Sequence, residues 1–300
     1  MSYPGFHGVF PYLVSPNDTD GSVKEETLRR LVRHLINEGV HGLTPLGSTG
    51  EVAYLSRDQR REIVRIVVEE AAGRVPVVPG VESASTRGAI EEALAYRELG
   101  ADGIVLILSS YFPLRETDVV GYFRDVAAAV DCPVIVYNNP RFTGVDLTVG
   151  VLEQLSAVDN IRYLKDATGN TGKLLSVVNR LGGRLKIFAA SAHIPLFVMM
   201  LGGVGWMAGP ACIVPRQSVE LYELCRAGRW EEAMALQRRL WPVNELFQEY
   251  LLAAAVKAAL ELQGFDVGDP LPPQPRLDAA ARKEIAAVLR AVGALSPPER

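Results

Sequence analysis

A lysine at the end of an apolar run is where chemistry first shows in this sequence. If IRYLKD (161–166) is a strand, its residues alternate in direction, so Ile161, Tyr163 and Lys165 share one face and Lys165 stands at the carboxyl end. An ammonium enclosed there by apolar neighbours is disfavoured in its charged form, and the neutral amine can attack a ketone to form a Schiff base. The plain alternative is a strand-end lysine that reaches water or pairs with Asp166. A Schiff-base lysine needs a site for the substrate's acid group and a proton shuttle. PLGSTGE (45–51) offers the first, because small residues around Gly47 let backbone N–H groups converge beside the hydroxyls of Ser48 and Thr49. The same letters also describe an ordinary strand-to-helix turn. PVIVYNNP (133–140) offers the second: Pro133, Ile135 and Tyr137 share a face, which brings the Tyr137 phenol to the end of its run. A packed aromatic with a bonded hydroxyl is the alternative there. Agreement among the three motifs carries more weight than any one of them.

Such motifs require a scaffold that delivers separate strand ends to one rim. Short apolar runs recur as GVFPYLV (8–14), HGLTPLG (41–47), VPVVPGV (75–81), GIVLIL (103–108), PVIVYN (133–138), IRYLKD (161–166), LKIFAA (185–190) and GVGWMAG (203–209). Between them lie amphipathic segments such as KEETLRRLVRHLINEG and RDQRREIVRIVVEEAAG. Strand alternating with helix implies a parallel sheet, and eight near-equal units in about 210 residues fit an α/β (β/α)₈ TIM barrel better than a doubly wound open sheet. Barrel chemistry sits at the carboxyl ends of the strands, where Lys165 falls; Lys186, before IFAA, falls at the opposite rim. Lys24, Lys173, Lys257 and Lys283 lie in helical or turn context. From Pro215 the pattern is helical, with the Pro-rich GDPLPPQPRL as a link. We therefore expect a barrel core over 1–214, with the last barrel helix and a C-terminal helical appendage over 215–300.

Composition narrows the partners. The 300 residues are 48% hydrophobic and 22% charged with a formal net charge of −4, which gives no electrostatic footprint for nucleic acid or an anionic membrane and leaves small molecules as partners. Cys132, Cys212 and Cys225 have no paired spacing, so we expect no disulfide framework and a cytoplasmic location. MSYPGFHGVFPYLVSP has neither a basic leader nor a long apolar run, so no signal peptide and no membrane span are expected. His7, His34, His41 and His193 lack metal-ligand spacing, and no metal or other cofactor is expected. His193, after the seventh run, remains a candidate contact for the distal part of a substrate. GGVGWMA has a dinucleotide fingerprint in form but comes late and lacks the following acidic strand end. The loops AASAH and AGPAC carry no lysine or arginine, which disfavours a phosphorylated substrate.

In order and spacing, GSTGE (47–51), YNNPxxTG (137–144) and KDATGN (165–170) resemble the dihydrodipicolinate synthase and N-acetylneuraminate lyase family of class I aldolases. The resemblance runs from GVFPYLVSP through the eighth run. It implies a homo-oligomer, usually a tetramer built of dimers, in which Lys165 forms a Schiff base with pyruvate or another 2-oxo acid. By the same resemblance Ser48 and Thr49 bind its carboxylate, Ser48 also joins the proton relay, and Tyr137 is the acid/base. Tyr111 in SSYFP (109–113) resembles a relay tyrosine that reaches a neighbouring subunit's site. The implied reactions are aldol addition or cleavage with a carbonyl co-substrate, or dehydration. A barrel that binds 2-oxo acids without turnover is the alternative from another class. A metal-dependent aldolase is disfavoured by the missing ligand spacing.

Departures from the family pattern concern the second substrate. Where the synthases place an arginine for the carboxylate of aspartate semialdehyde this chain has Phe142, with Arg141 one residue earlier. Strand seven ends in AASAHIP instead of an acidic pair, and strand eight carries Trp206 and Met207. Phe142, His193, Trp206 and Met207 together predict a more apolar distal pocket and count against aspartate semialdehyde. Positions that line the synthases' lysine feedback site are Ala84, Gly88 and Ser110 here, too small or apolar to hold a charged amino acid. Free lysine is therefore expected to leave the rate unchanged in a steady-state assay, and inhibition at micromolar lysine would contradict this.

Overall fold

The chain builds its sheet in the order in which the apolar runs occur. The computed structural model describes residues 5–190 and 194–296. Seven strands run parallel: β1 (Gly8–Pro11), β2 (Gly80–Ser83), β3 (Ile104–Leu108), β4 (Val134–Asn138), β5 (Ile161–Asp166), β6 (Lys186–Ala189) and β7 (Gly205–Ala208). Their order is β1-β7-β6-β5-β4-β3-β2, so the first strand pairs with the last and the sheet curls on itself.

The run 41–47, expected as the second strand, forms bridges only, yet it joins the two edges. Thr44 N–H donates to Pro11 O at 3.0 Å, and Leu13 N–H donates to Thr44 O at 3.1 Å. On the other side Leu43 N–H donates to Pro76 O and Val78 N–H to Leu43 O, both at 2.9 Å. The pairing stays short because Pro45, Pro76 and Pro79 have no N–H to give, and Leu46 takes a left-handed φ of 62°. With that segment in place the expected (β/α)₈ barrel closes, with helices between successive strands.

Two apolar layers follow from the period-2 alternation of the strands. Phe10, Tyr12, Val105, Ile107, Ile135, Tyr137, Tyr163, Phe188 and Met207 point into the barrel. Their neighbours Val9, Val136, Leu164, Ile187 and Trp206 pack outward among the helices. The expectation that Ile161 shares the face of Tyr163 and Lys165 does not hold. Register against β4 shifts between Val134 and Ile135, and Ile161 joins the outer layer. Phe6 plugs the amino-terminal end: its N–H donates to Tyr163 Oη at 2.7 Å and the two rings stack 5.4 Å apart. Lys186 lies near this end, 5.9 Å from the Tyr163 ring.

After the barrel come the helices Pro215–Arg226, Trp230–Glu249, Leu252–Leu262 and Ala279–Ala291. None of the described helices is long and apolar enough to cross a membrane. Cys132, Cys212 and Cys225 are buried and free.

The C-terminal segment is tied to the barrel by a buried ion pair. Lys257 Nζ lies 2.7 Å from Glu51 Oε2, and both side chains are within 1% of full burial. Glu51 Oε1 also accepts from Leu271 N–H at 2.6 Å and Gln274 Nε2 at 3.0 Å, while Lys257 donates to Asp269 O at 2.9 Å. Glu51 closes the GSTGE turn in a left-handed conformation, φ 56°. Removing one charge strands the other away from water. Lys257→Met is expected to cost about 3–5 kcal/mol, and Lys257→Met/Glu51→Gln distinctly less, because a buried pair is harder to break than to replace. Denaturant unfolding of the three proteins checks the order.

Candidate active site

Strand β5 places Lys165 on its inward face at the carboxyl end, beside Tyr137 of β4 in register. The side chain is only 6% exposed. Its Nζ sits 4.0 Å from the centroid of the Tyr137 ring and 4.2 Å from that of Tyr12, between two aromatic faces. Burial lowers the amine's pKa from 10.5 to about 7, and the nearby Asp166 charge offsets only part of this.

Asp166 faces away, with its Oδ2 4.0 Å from Lys173 Nζ on the outer side. Its carboxylate accepts from Asn138 Nδ2 at 2.7 Å, Thr168 N–H at 2.9 Å and Thr168 Oγ1 at 2.5 Å. The turn continues with Asn170, whose side chain caps the helix Thr171–Leu181 by accepting from Lys173 N–H. KDATGN therefore divides by direction: the lysine points in, and the residues after it build the turn that holds it. Outside, Asn138 Nδ2 also donates to Asp146 at 3.0 Å, and Asp146 pairs with Lys173 at 2.6 Å.

The Tyr137 hydroxyl is held from two sides. Asn139 Nδ2 donates to it at 2.6 Å, and the Ser48 side chain stands beside it. Burial raises its pKa, and Asn139 and Ser48 pull it back. Tyr12 has no such relief: its buried hydroxyl has no hydrogen-bond partner among the described residues, and burial raises its pKa well above the ordinary value. Its ring fits only because residue 47 is glycine; a Cβ there would fall 1.9 Å from Tyr12 Cδ1. Among the described residues, the N–H groups of Ser48 and Thr49 donate to no acceptor. Thr49 is 2% exposed, and a Cβ on Gly209 would come within 2.8 Å of its Oγ1.

Lys165, Tyr137, Tyr12, Ser48, Thr49, Phe142 and Met207 line one cavity of about 140 Å³. Of the residues expected from sequence, Lys165, Tyr137, Ser48, Thr49, Phe142 and Met207 thus meet in one place, with Gly47 just behind. Tyr111 does not join them: it is 89% exposed and packs edge-on against Phe112 at 5.0 Å. Trp206 is a correction. Alternation along β7 turns Met207 inward and Trp206 outward, where its ring lies 6.0 Å from that of Tyr222 in the helix layer. His193 lies outside the described residues.

The expected apolar distal pocket is a second correction. Phe142, Met207, Phe247 and Leu252 are apolar, but Asn139, Arg141, Asn244 and Gln248 line the same cavity. Tyr12 was legible in principle, since it shares a face with Phe10 in the first strand run. Asn244, Phe247, Gln248 and Leu252 were not, because they come from helices beyond the barrel whose position over the rim no local pattern announces.

With this geometry in place, the chain can be compared with known proteins. Residues 5–292 match the model of the dihydrodipicolinate synthetase family. An uncharacterised DapA-like lyase of Halobacterium salinarum is 36% identical, over 97% of this chain and 95% of that protein. A 4-hydroxy-tetrahydrodipicolinate synthase of Acidiphilium cryptum is 34% identical, over 97% of this chain and all of that protein. Among solved structures, the chloride-inhibited dihydrodipicolinate synthase of Acinetobacter baumannii, complexed with pyruvate, superposes with a TM-score of 0.91 at 26% identity, covering 96% of this chain and 99% of that one.

The buried amine has a thermodynamic consequence. Its pKa is about 7 when folded against an ordinary 10.5, so between these values the unfolded chain binds the extra proton. Stability contributed by this site therefore rises with pH across that window, and below about pH 7 the penalty for burying a charge is complete. Lys165→Met removes the penalty. Its melting temperature is expected to exceed that of the parent by several degrees at pH 7, with the gap narrowing toward pH 10. Calorimetry across that range checks it, and a gap that widened with pH would contradict the burial argument.

Proposed function

The chain belongs to the dihydrodipicolinate synthetase family and is an enzyme of the lyase type, and we propose that it acts through a Schiff base between Lys165 and pyruvate or a related 2-oxo acid. The observation that carries this reading is the amine itself, enclosed between two tyrosine rings at the active rim of the barrel with its pKa lowered to about 7. At neutral pH a large share of it is unprotonated and nucleophilic. The pyruvate complex of the Acinetobacter baumannii synthase supports the choice of 2-oxo acid.

In this mechanism the free N–H groups of Ser48 and Thr49 receive the acid group, which orients the ketone toward Lys165. The amine attacks the carbonyl carbon, and Tyr137 gives a proton to the departing hydroxyl, so that the carbinolamine leaves as water plus iminium. Ser48, beside Tyr137 on the same cavity, passes protons between that phenol and the cavity. Loss of a proton from the adjacent carbon sends its electron pair toward the iminium and yields an enamine. That enamine adds to an aldehyde carbon, arises from the reverse cleavage, or, where the bound oxo acid carries a hydroxyl on the next carbon, expels it as water and leaves an unsaturated iminium. Hydrolysis then frees Lys165. Tyr111, exposed on a protruding loop, fits a relay role in a neighbouring subunit's site within a dimer or tetramer.

Incubation with pyruvate followed by borohydride is expected to add one reduced pyruvyl group, mapped to the peptide containing Lys165. Its rate of formation should rise with pH up to about 7 and level off above, as the amine loses its proton. Folded protein that forms no adduct with pyruvate or longer 2-oxo acids would overturn the proposal.

A further inference from the structure

Two rings enclose the amine of Lys165, and only one carries a hydroxyl placed for proton transfer. The Tyr137 hydroxyl accepts from Asn139 Nδ2 and stands beside Ser48. Tyr12 covers another side, with its ring centroid 4.2 Å from Nζ, yet its buried hydroxyl has no hydrogen-bond partner among the described residues. Burial raises the pKa of that hydroxyl well above the ordinary value, so it keeps its proton and is no base at neutral pH. A tyrosine whose hydroxyl is idle and costly to bury is held for its ring.

The surrounding backbone is shaped to that ring. Tyr12 bridges to Thr44 and its N–H donates to Ala208 O at 3.2 Å, which fixes the side chain on the inward face of the barrel. A Cβ at position 47 would fall 1.9 Å from Cδ1 and 2.0 Å from Cε1, so the ring edge lies against the Gly47 backbone. Gly47 has no positive φ, and its missing side chain is needed for this contact rather than for the turn. Around the amine, Phe188 on β6 and Met207 on β7 are apolar, Arg141 shares the cavity, Asp166 faces away, and among the described residues no Asp or Glu lines the cavity. No facing carboxylate therefore holds the ammonium in place.

A ring beside an amine acts in two opposed ways. Its face favours the ammonium, by up to about thirtyfold in a dry site. Its bulk keeps water from the ammonium, and full burial of a lysine disfavours that form by roughly a thousandfold or more. Exclusion of water wins. We propose that Tyr12 is a positioning residue for Lys165: its ring, seated on Gly47, seals the amine from water on the side that Tyr137 does not cover and so keeps it ready to attack, while its hydroxyl takes no part. This inference deepens the Schiff-base reading above and rests on it, since it names what holds the nucleophile in its reactive form.

The protonation of Lys165 can be followed by NMR without any imine, from the resonance of its labelled ε-carbon, assigned by its loss in Lys165→Met. The midpoint is expected near 7 in the parent and in Tyr12→Phe, and higher by about one pH unit or more in Tyr12→Ala, where water reaches the amine. Tyr12→Phe should also melt no lower than the parent, because it removes a buried hydroxyl that has no partner among the described residues. Gly47→Ala displaces the ring without removing it, so its midpoint should rise too; this variant carries the test if Tyr12→Ala does not fold. Borohydride trapping with pyruvate runs in parallel: Tyr12→Ala should lose about tenfold in rate at pH 6 and recover at pH 10. If the parent traps no 2-oxo acid, the Schiff-base reading fails, and the titration still decides the role of Tyr12. A midpoint unchanged or lowered in Tyr12→Ala, a rise in Tyr12→Phe equal to that in Tyr12→Ala, or a trapping loss equal at every pH would each overturn the proposal.

Discussion

Everything at the active rim depends on keeping one amine out of water. A lysine side chain ordinarily snorkels to solvent, and here it is held between the rings of Tyr12 and Tyr137 with almost no exposure. The ring faces offer the charged form some attraction, but far less than its lost hydration, so the equilibrium moves toward the neutral amine. Each part of this arrangement has a structural cost elsewhere. The barrel must be filled below the lysine, which Phe10, Phe188 and Tyr163 do. Position 47 must lack a side chain so that the Tyr12 ring has room. Among the described residues the Tyr12 hydroxyl ends buried without a partner, a local destabilisation of the kind that functional sites tolerate.

Holding that amine beside Tyr137 is the task of residues that face the other way. Asn138 and Asp166 follow Tyr137 and Lys165 in β4 and β5, and their direct hydrogen bond clamps the ends of the strands in register. Asn138 Oδ1 accepts from Leu147 N–H at 2.8 Å, and Asp146 and Lys173 extend the network toward the helices. Alternation gives each motif a chemical residue and a structural residue in adjacent positions, so one short stretch of sequence specifies both the group and its support.

This is why so much of the site was legible in sequence. Lys165, Tyr137, Ser48 and Thr49 lie within three strand-end motifs, and a period of two with a known rim is enough to bring them together. The barrel was legible for the same reason, from eight apolar runs. Where pairing is interrupted, legibility stops. Prolines shortened the second run to bridges, and the register shift at Val134 and Ile135 moved Ile161 to the outer layer. Trp206 was misplaced for a different reason: its bulk and position drew attention, while its parity with Met207 already placed it outside. Tyr12 escaped because a tyrosine inside an apolar run reads as packing, and only the lysine opposite gives it a role.

The C-terminal helices make the remaining wall, and physical coupling explains why they do not behave as an accessory. Glu51 terminates the turn that presents the Ser48 and Thr49 N–H groups, and its carboxylate is bound by Lys257 and by the 271–274 segment. The preceding helix, Trp230–Glu249, contributes Asn244, Phe247 and Gln248 to the cavity. The turn that carries Ser48 and Thr49 and the distal wall therefore share one anchor, although they lie some two hundred residues apart in the chain. Chemistry is fixed by strand ends whose hydrogen bonds admit little change. The distal wall of the cavity is made by a helix face and a one-turn helix, where a single side chain can change without disturbing the sheet. Under the Schiff-base proposal, a barrel divided in this way keeps the imine constant while the distal wall varies, and Arg141 and Phe142 belong to that wall in this chain.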